Sequence, residues 1–366
     1  MIHRTDAFHS AAGLEKAQAL LDEGRPQDAL RALPSAARAP LALEHSHLKA
    51  ECLRSMGDLG DCRAWYQRVL SKAKPSADPV LWLESCLGLV SALRSLGECC
   101  RARRLLARGT SLARQKRLDS HLERCRLELV LLDRAEGLYA RSIRELKGFL
   151  ELFRKRGDLA GMAYIHWALG GARRFSGDLE GSLKDYTASR TLAGRARDPI
   201  GKGYAMLGLG GIERIKGNLG KALSWYEASR KTFAKTQDLF AQAYAECGQG
   251  NCLRQLGRLK EASSRYTTAH RLYSLIHDPV DLAYVDWGLG KIAMAEGRLE
   301  DARVRLDLAL AGFRSVHEHR GIVLSLLALA AVRHAQGRTS QGERLFDEGL
   351  ALARRAGLHA HLEVYT

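Results

Sequence analysis

Six arginines that recur at a fixed spacing are the residues of this chain best suited to chemistry. They stand 40 residues apart, at Arg54, Arg94, Arg134, Arg174, Arg214 and Arg254. A guanidinium group carries its donors in a planar fork that matches a carboxylate or a phosphate. A cation in the last turn of a helix also interacts favourably with the helix dipole, which is the alternative interpretation. The spacing therefore indicates either a row of anion-binding groups or a row of charged helix ends.

Aromatic and polar residues follow the same register. A glycine follows each arginine by three residues, and the same 40-residue spacing continues to two further glycines. We call these the marker glycines: Gly57, Gly97, Gly137, Gly177, Gly217, Gly257, Gly297 and Gly337. Tyrosines stand 13 residues before four of them, and tryptophans stand ten residues before two. Steps of three and four residues place these positions on one side of a helix. We predict that this side binds a partner through Arg54, Arg94, Arg134, Arg174, Arg214, Arg254, Tyr164, Tyr204, Tyr244, Tyr284, Trp167, Trp287, Asn251 and Lys291.

The sequence shows no set of residues that predicts catalysis, a metal site or a cofactor. The glycine-rich stretches 208–211 and 288–290 follow no predicted strand, so they indicate close helix packing rather than a dinucleotide loop. Histidine pairs such as His45 and His47 are two residues apart and point in different directions on a helix. The eight cysteines have no paired metal spacing, which favours reduced thiols. We expect no catalytic residues, no metal and no cofactor.

The elements that must position these residues are helices. Asp-Pro pairs at 78–79, 198–199 and 278–279 are typical helix starts, and a glycine such as Gly217 is a typical helix end. Two helices in every 40 residues predict an all-α fold, a right-handed α-solenoid of about nine helix-turn-helix repeats. We predict a degenerate N-terminal repeat over 1–37, eight repeats in one superhelical domain over 38–357, and a short tail over 358–366.

The repeat resembles the tetratricopeptide repeat family, in a 40-residue variant. The resemblance rests on Leu209-Gly210, Gly217, Ala222, Tyr226 and Ser229, and on the same pattern in the neighbouring units. It implies that the first helix of each repeat lines a concave groove, and that the groove binds an extended peptide. Carried over to this sequence, it implies a groove floored by the arginines and flanked by tyrosines and two tryptophans.

Charge and hydrophobicity narrow the expected partners. Most of the net charge of +16 falls within residues 101–250, whereas residues 1–100 sum to zero. A basic centre predicts an acidic partner, although a solvated basic surface is the alternative. The start of the chain does not resemble a signal peptide, and no apolar run approaches the length of a membrane span. We expect a cytoplasmic protein with no membrane partner.

Three hypotheses for function follow. The leading one is a non-enzymatic interaction module that binds an acidic, extended protein segment in a basic groove centred on residues 118–277. The second is single-stranded nucleic-acid binding, with the aromatic rings as stacking platforms. The third is an enzyme or sensor for an anionic small molecule, with His166 or Asp286 as a candidate acting group. Self-association through the C-terminal repeat is also predicted, because the tail is too short for a full capping helix.

Overall fold

The chain folds into helices that follow one another in pairs. The computed structural model describes residues 2–36, 41–356 and 358, and within these ranges it contains no strand. The helices are α1 (Ile2–Asp22), α2 (Pro26–Ala32), α3 (Ala42–Met56), α4 (Leu59–Lys72), α5 (Pro79–Ser95), α6 (Cys99–Gln115), α7 (Asp119–Ala135), α8 (Tyr139–Arg156), α9 (Leu159–Phe175), α10 (Leu179–Arg195), α11 (Pro199–Ile215), α12 (Leu219–Thr236), α13 (Leu239–Gln255), α14 (Leu259–Leu275), α15 (Pro279–Ala295), α16 (Leu299–Ser315), α17 (His319–Ala335) and α18 (Thr339–Ala356). The predicted all-α solenoid is confirmed.

The marker glycines end the first helix of each pair. Gly24 and the eight marker glycines have φ between 72° and 89°, the left-handed region that only glycine adopts without strain. At Gly177 the chain closes with two reversed hydrogen bonds, from Gly177 N to Arg174 O and from Asp178 N to Arg173 O. Such a pair of hydrogen bonds commonly satisfies the last carbonyls of a helix. The predicted helix ends are therefore confirmed.

A second periodic turn ends the second helix of each pair, and the sequence did not reveal it. There the left-handed residue is mostly not glycine: Arg117, Arg197, Gln237, His277 and His317 have φ between 51° and 58°, and within the described ranges only Gly157 has the expected type. These residues are also 40 apart. A left-handed residue with a side chain is strained by about 1 kcal/mol or more.

Acidic residues begin many of the helices. Asp78 Oδ1 accepts from Leu81 N at 2.9 Å, and Asp198 Oδ1 accepts from Gly201 N at 2.9 Å. Helices α5, α11 and α15 each begin at the proline of an Asp-Pro pair, as predicted. The side-chain acceptor and the fixed φ of proline together set the first turn of these helices.

Tyrosines of the second helices pack between glycines, which explains the glycine-rich stretches. A Cβ on Gly210 would lie 3.0 Å from the ring of Tyr226, and one on Gly248 would lie 2.4 Å from it. Tyr266 lies in the same way against Gly250 and Gly288, with distances of 3.0 and 2.5 Å. Both rings are buried. The glycines thus allow the ring of one repeat to pack against its own first helix and the next one, as the helix-packing interpretation predicted.

The chain divides into two compact units. Unit 1 comprises residues 1–203 and 231–240, and unit 2 comprises residues 204–230 and 241–366. The division into 1–37, 38–357 and 358–366 stays a prediction, and apart from Leu358 the predicted tail lies outside the described residues. No described helix is both long enough and apolar enough to cross a membrane.

One contact in unit 1 lies far outside the repeat register. Gln237 Oε1 accepts from Gln27 N at 3.2 Å, and Gln237 Nε2 donates to Asp28 Oδ2 at 3.2 Å. Ile200 lies 3.2 Å from the position of a Cβ on Gly24. In a repeat protein most contacts join neighbouring repeats. Here the N-terminal helix pair also contacts residues about 200 positions later in the chain.

Candidate functional site

A pocket of about 670 Å³ in unit 1 is lined by α1 and by the first helices α3, α5, α7 and α9. Most of its lining residues stand in the predicted register, 13, 10, 6 or 3 residues before a marker glycine. They are His47, Glu51, Arg54, Glu84, Leu87, Ser91, Arg124, Leu127 and Tyr164. These positions therefore do share one concave surface in unit 1. The surface is not basic throughout, because Asp22, Glu51, Glu84 and Glu128 line it beside only two arginines.

Arg54, the first arginine of the row, is neutralised by the chain itself. Its guanidinium pairs with Glu51 at 2.5 Å, and its Nε donates to the hydroxyl of Tyr66 at 3.1 Å. Tyr66 in turn donates to Glu51. Burial alone would raise the pKa of Glu51, but Arg54 outweighs it and holds that pKa below the ordinary value. These three side chains form a closed polar cluster with no unmatched charge.

Arg94 is neutralised by a carboxylate of the next repeat. Its Nε lies 3.3 Å from Glu128 on α7, and its Nη2 donates to Ser91 Oγ at 3.2 Å. Both charged side chains are largely buried, with exposed fractions of 13% and 18%. An ion pair that is sheltered from water is held more firmly than one on the open surface. Arg94 therefore joins neighbouring first helices.

Arg134 has a different environment. Its guanidinium carbon lies 5.2 Å from the ring centroid of Trp167, and its Nη1 donates to the carbonyl of Ala168 at 3.4 Å. No carboxylate of the described residues contacts it. Burial and the charges of Arg94 and Arg174 lower the pKa of Arg134, because each of them disfavours another positive charge. Arg134 thus carries a charge that no carboxylate in the described part of the chain matches.

Aromatic residues and one glycine shape the surroundings of Arg134. A Cβ on Gly171 would lie 2.9 Å from its Nη1, so a larger residue there would displace the guanidinium. Tyr164 lies with its ring centroid 5.7 Å from that of Trp167, and its side chain is 39% exposed. The next arginine, Arg174, has its guanidinium carbon 4.6 Å from the ring centroid of Phe175. Tyr164 belongs to the pocket lining as well, so the pocket and the Arg134 cluster adjoin.

Unit 2 carries a second arginine on a tryptophan, three repeats later. The guanidinium carbon of Arg254 lies 5.5 Å from the ring centroid of Trp287, and Lys291 Nζ lies 5.9 Å from it. Burial and Arg254 lower the pKa of Lys291. Asn251 Oδ1 accepts from the hydroxyl of Tyr266 at 2.9 Å, in the place that Glu51 has beside Tyr66. The structure brings Asn251, Arg254, Trp287 and Lys291 together.

Trp287 requires a correction. We expected its ring to face a groove, but its side chain is only 4% exposed and belongs to an apolar core cluster. The charged side chains of Arg254 and Lys291 lie against the ring instead. The two cations are only partly buried, so they rather than the indole face are open to a partner.

The tyrosine column divides into two kinds of environment. Tyr164 is exposed in the pocket, whereas Tyr284 packs edge-on against Phe313 with ring centroids 4.6 Å apart. The hydroxyl of Tyr284 also donates to Glu318 at 3.0 Å and accepts from Arg320 at 3.0 Å. Packing between repeats therefore accounts for Tyr284. Tyr204, Tyr244 and Arg214 are partly buried in unit 2.

The residues that neutralise the first two arginines were missed from the sequence. Glu128 stands nine residues before its marker glycine, and Tyr66 stands nine residues after one. Glu51 was noted in the column six residues before the glycine, but its pairing with Arg54 was not foreseen. The available signal was the distance of 34 residues between Arg94 and Glu128, which joins corresponding faces of neighbouring first helices.

Candidate acid–base and metal-binding groups have structural partners. His166 Nδ1 lies 2.8 Å from Asp185, and Asp286 accepts from Arg305 at 2.8 Å. His45 Nε2 lies 2.9 Å from the carbonyl of Pro34. Among the described residues no three His, Cys, Asp or Glu side chains are grouped to hold a metal ion.

Comparisons with known proteins give the fold. No protein-family model matches the sequence, and no curated protein sequence does. A Rap protein solved in complex with Competence and Sporulation Factor matches with a TM-score of 0.66 and 10% identity, over 95% of this chain and 98% of the other. The apo form of RapI matches with a TM-score of 0.52 and 13% identity, over 75% and 77%. A STAND protein with a tetratricopeptide repeat sensor, from Pyrococcus horikoshii, matches with a TM-score of 0.55 and 15% identity, over 98% of this chain and 55% of the other. The chain is thus, in its fold, a tetratricopeptide-like repeat protein.

Proposed function

We propose that this chain is a non-catalytic interaction module that binds an acidic, extended segment of a partner protein along its first helices, with Arg134 as the main anchor. One observation carries the proposal. Arg134 lies on Trp167 near two further arginines, and no carboxylate of the described residues contacts it. A carboxylate of the partner would do for Arg134 what Glu128 does for Arg94. Charge-assisted pairs of this kind are stronger than neutral hydrogen bonds.

An extended ligand fits the length of the surface better than a compact one. The pocket of about 670 Å³ runs across residues of five helices, and it adjoins the Arg134 cluster at Tyr164. The fold itself is compatible with ligand binding, since the Rap protein that it resembles was solved with Competence and Sporulation Factor. That likeness supports the proposal only through the shared fold.

The test is a titration with a defined acidic probe, N-acetylated hexaglutamate carrying a fluorophore. We expect binding that weakens steeply as salt rises, because exposed charges are screened. The variant Arg134→Ala/Arg174→Ala/Arg214→Ala should lose at least tenfold in affinity. The matched control removes three exposed arginines of the second helices, Arg104, Arg195 and Arg271, and should bind as the wild type does.

Two results would contradict the proposal. One is equal loss of affinity in both triple variants, which would mean that only the overall charge matters. The other is tighter binding of a dT oligonucleotide than of hexaglutamate at the same salt concentration. The second result would favour single-stranded nucleic acid, yet the burial of Trp287 and the guanidinium on Trp167 limit the open ring surface for base stacking.

Self-association through the last repeat stays a prediction. Phe346 on α18 stands nine residues after Gly337, where Tyr226 and Tyr266 stand in their repeats. Those tyrosines are buried, whereas Phe346 is 48% exposed. Light scattering of the wild type and of Phe346→Ser should show a concentration-dependent dimer in the wild type alone. A monomer at all concentrations would remove this prediction.

A further inference from the structure

Two buried polar groups in unit 2 have no partner among the described residues. They are the indole N–H of Trp287 and the hydroxyl of Ser325, and both side chains are at least nine-tenths buried. The great majority of buried donors and acceptors in proteins have a hydrogen-bond partner, so two groups without one need an explanation. Trp287 lies on α15 and Ser325 on α17, and these two helices are in contact.

The repeat register places the two groups at the same interface. Six repeats earlier, His47 and Ser85 hold the corresponding positions, since both pairs are offset by 240 residues. There the Nδ1 of His47 and the Oγ of Ser85 lie 2.9 Å apart and satisfy each other. In unit 2 the tryptophan N–H and the serine hydroxyl stand at these positions and make no such bond. Both can donate, and an indole N–H can only donate.

The charge next to these groups is positive. Arg254 and Lys291 lie against the ring of Trp287, at 5.5 and 5.9 Å from its centroid. No carboxylate of the described residues contacts Lys291. Burial lowers the pKa of this lysine, and the charge of Arg254 lowers it further. Two cations and two unsatisfied donors on the successive first helices α13, α15 and α17 match an oxyanion.

We propose that Arg254, Lys291, the indole N–H of Trp287 and the hydroxyl of Ser325 form a carboxylate subsite in unit 2. The inference rests on the proposed function, because an acidic segment of the proposed kind would supply the carboxylate. It goes further by assigning a specific donor set, and by giving unit 2 a binding role of its own. The carboxylate is either that of an acidic side chain or that of the segment's C-terminus.

The indole N–H signals of the five tryptophans test this directly. In a ¹⁵N–¹H spectrum the Trp287 signal is identified by its loss in Trp287→Phe. The probes are N-acetylated hexaglutamate with a free C-terminus and the same peptide with an amidated C-terminus. We expect the Trp287 signal to move downfield on addition of probe, because its N–H gains an acceptor. If the two peptides act equally, a side-chain carboxylate binds; if only the free acid acts, the C-terminus binds.

Variants of Lys291 supply the control on the donor set. Lys291→Met should raise the probe concentration needed for half of the Trp287 shift about tenfold, because one charge-assisted hydrogen bond is lost. Lys291→Arg should leave that concentration unchanged. Trp82 is the matched control: it is 3% exposed, lies in unit 1, and has Arg108 5.6 Å from its ring centroid. Its signal should stay in place.

Failure of the subsite and failure of the proposed function give different spectra. If the Trp167 signal moves and the Trp287 signal does not, the subsite is refuted while anion binding at Arg134 stands. If neither signal moves at saturating probe, both proposals are refuted. A Trp287 shift that is unchanged in Lys291→Met would also overturn the assignment of this donor set.

Discussion

Arg94 and Arg134 stand in the same register of neighbouring repeats, yet their surroundings differ. Arg94 pairs with Glu128, and the two side chains shelter each other from water. Arg134 lies on the ring of Trp167 and donates only to a backbone carbonyl. One arginine completes an ion pair within the protein, and the other keeps a charge for which the described residues supply no carboxylate.

Two sequence positions decide between these outcomes: the residue three before the arginine, and the residue 34 after it. Arg54 has Glu51 at the first position, and Arg94 has Glu128 at the second. For the later four arginines the two positions hold no acidic residue: Leu131 and Ala168, Gly171 and Gly208, Gly211 and Gly248, Asn251 and Gly288. Arg54 and Arg94, each with a carboxylate at one of these positions, are held in ion pairs, whereas Arg134, with none at either, donates to a backbone carbonyl and lies on a tryptophan ring.

The largest expected effect is on stability. Arg54→Ala should lower the free energy of unfolding by about 1–3 kcal/mol, because the fully buried Tyr66 and the largely buried Glu51 lose their shared partner. Arg134→Ala strands no carboxylate, so its loss should stay near the 0.5–1 kcal/mol of a cation–π contact. Urea unfolding of the two variants measures the difference. Equal losses would contradict the distinction between the two arginines.

A smaller effect is expected from the tryptophan that carries Arg134. Trp167→Leu should lower the affinity for hexaglutamate about fivefold, because the guanidinium loses the ring that positions it, worth about 1 kcal/mol. Trp65→Leu is the control, since Trp65 also has cations over its ring but lies on the second helix α4. Unchanged affinity in Trp167→Leu would show that the Trp167 ring does not contribute to binding.

The acid dependence of stability should sharpen the comparison further. The folded protein holds the pKa of Glu51 below its ordinary value, so the ion pair stabilises fully above about pH 4.5 and progressively less as pH falls through the lowered pKa. Glu51→Gln should therefore be less stable than wild type at pH 7 by about 1 kcal/mol, and the difference should shrink as pH falls through the lowered pKa. A constant difference at every pH would show that Arg54 does not act through this charge.

The smallest expected effect is a gain in affinity for the acidic probe. Glu128→Gln removes the carboxylate of Arg94 and should raise the affinity for hexaglutamate about two- to threefold at low salt, and by nothing measurable at 0.5 M salt. The same titration with Glu123→Gln, whose carboxylate pairs with Arg156 on the second helix α8, is the control. A gain of the same size in the control would show that overall charge rather than Arg94 is responsible.

The fold followed from the sequence because its causes are local. A glycine such as Gly177 ends a helix by its own backbone freedom, and an Asp-Pro pair such as 198–199 begins one by its own chemistry. The 40-residue period then repeats these local effects. The turns at Arg117 and His277 were missed because their residue types do not predict a left-handed backbone. Backbone hydrogen bonds, from Arg117 N to Arg114 O and from Leu118 N to Ala113 O, close the helix there, and they do not depend on the residue type.

The sequence predicted only part of the candidate site. Helical periodicity placed Arg54 and Tyr164 on one surface, and both line the pocket in unit 1. It did not foresee the pairing of Arg94 with Glu128, which depends on the distance between two helices, or the burial of Trp287. The contact of Gln27 with Gln237 joins residues 210 positions apart and follows no repeat. Such contacts depend on how the helices are arranged in space, which local patterns do not specify.

The most direct test of the account compares two single variants in one titration. Arg54→Ala and Arg134→Ala are each titrated with fluorescent hexaglutamate at low salt, at a temperature where circular dichroism shows both to be folded. The account predicts that Arg54→Ala binds within twofold of the wild type and that Arg134→Ala loses at least tenfold. Equal losses, or a larger loss in Arg54→Ala, would contradict the claim that the unmatched arginine is the one that binds.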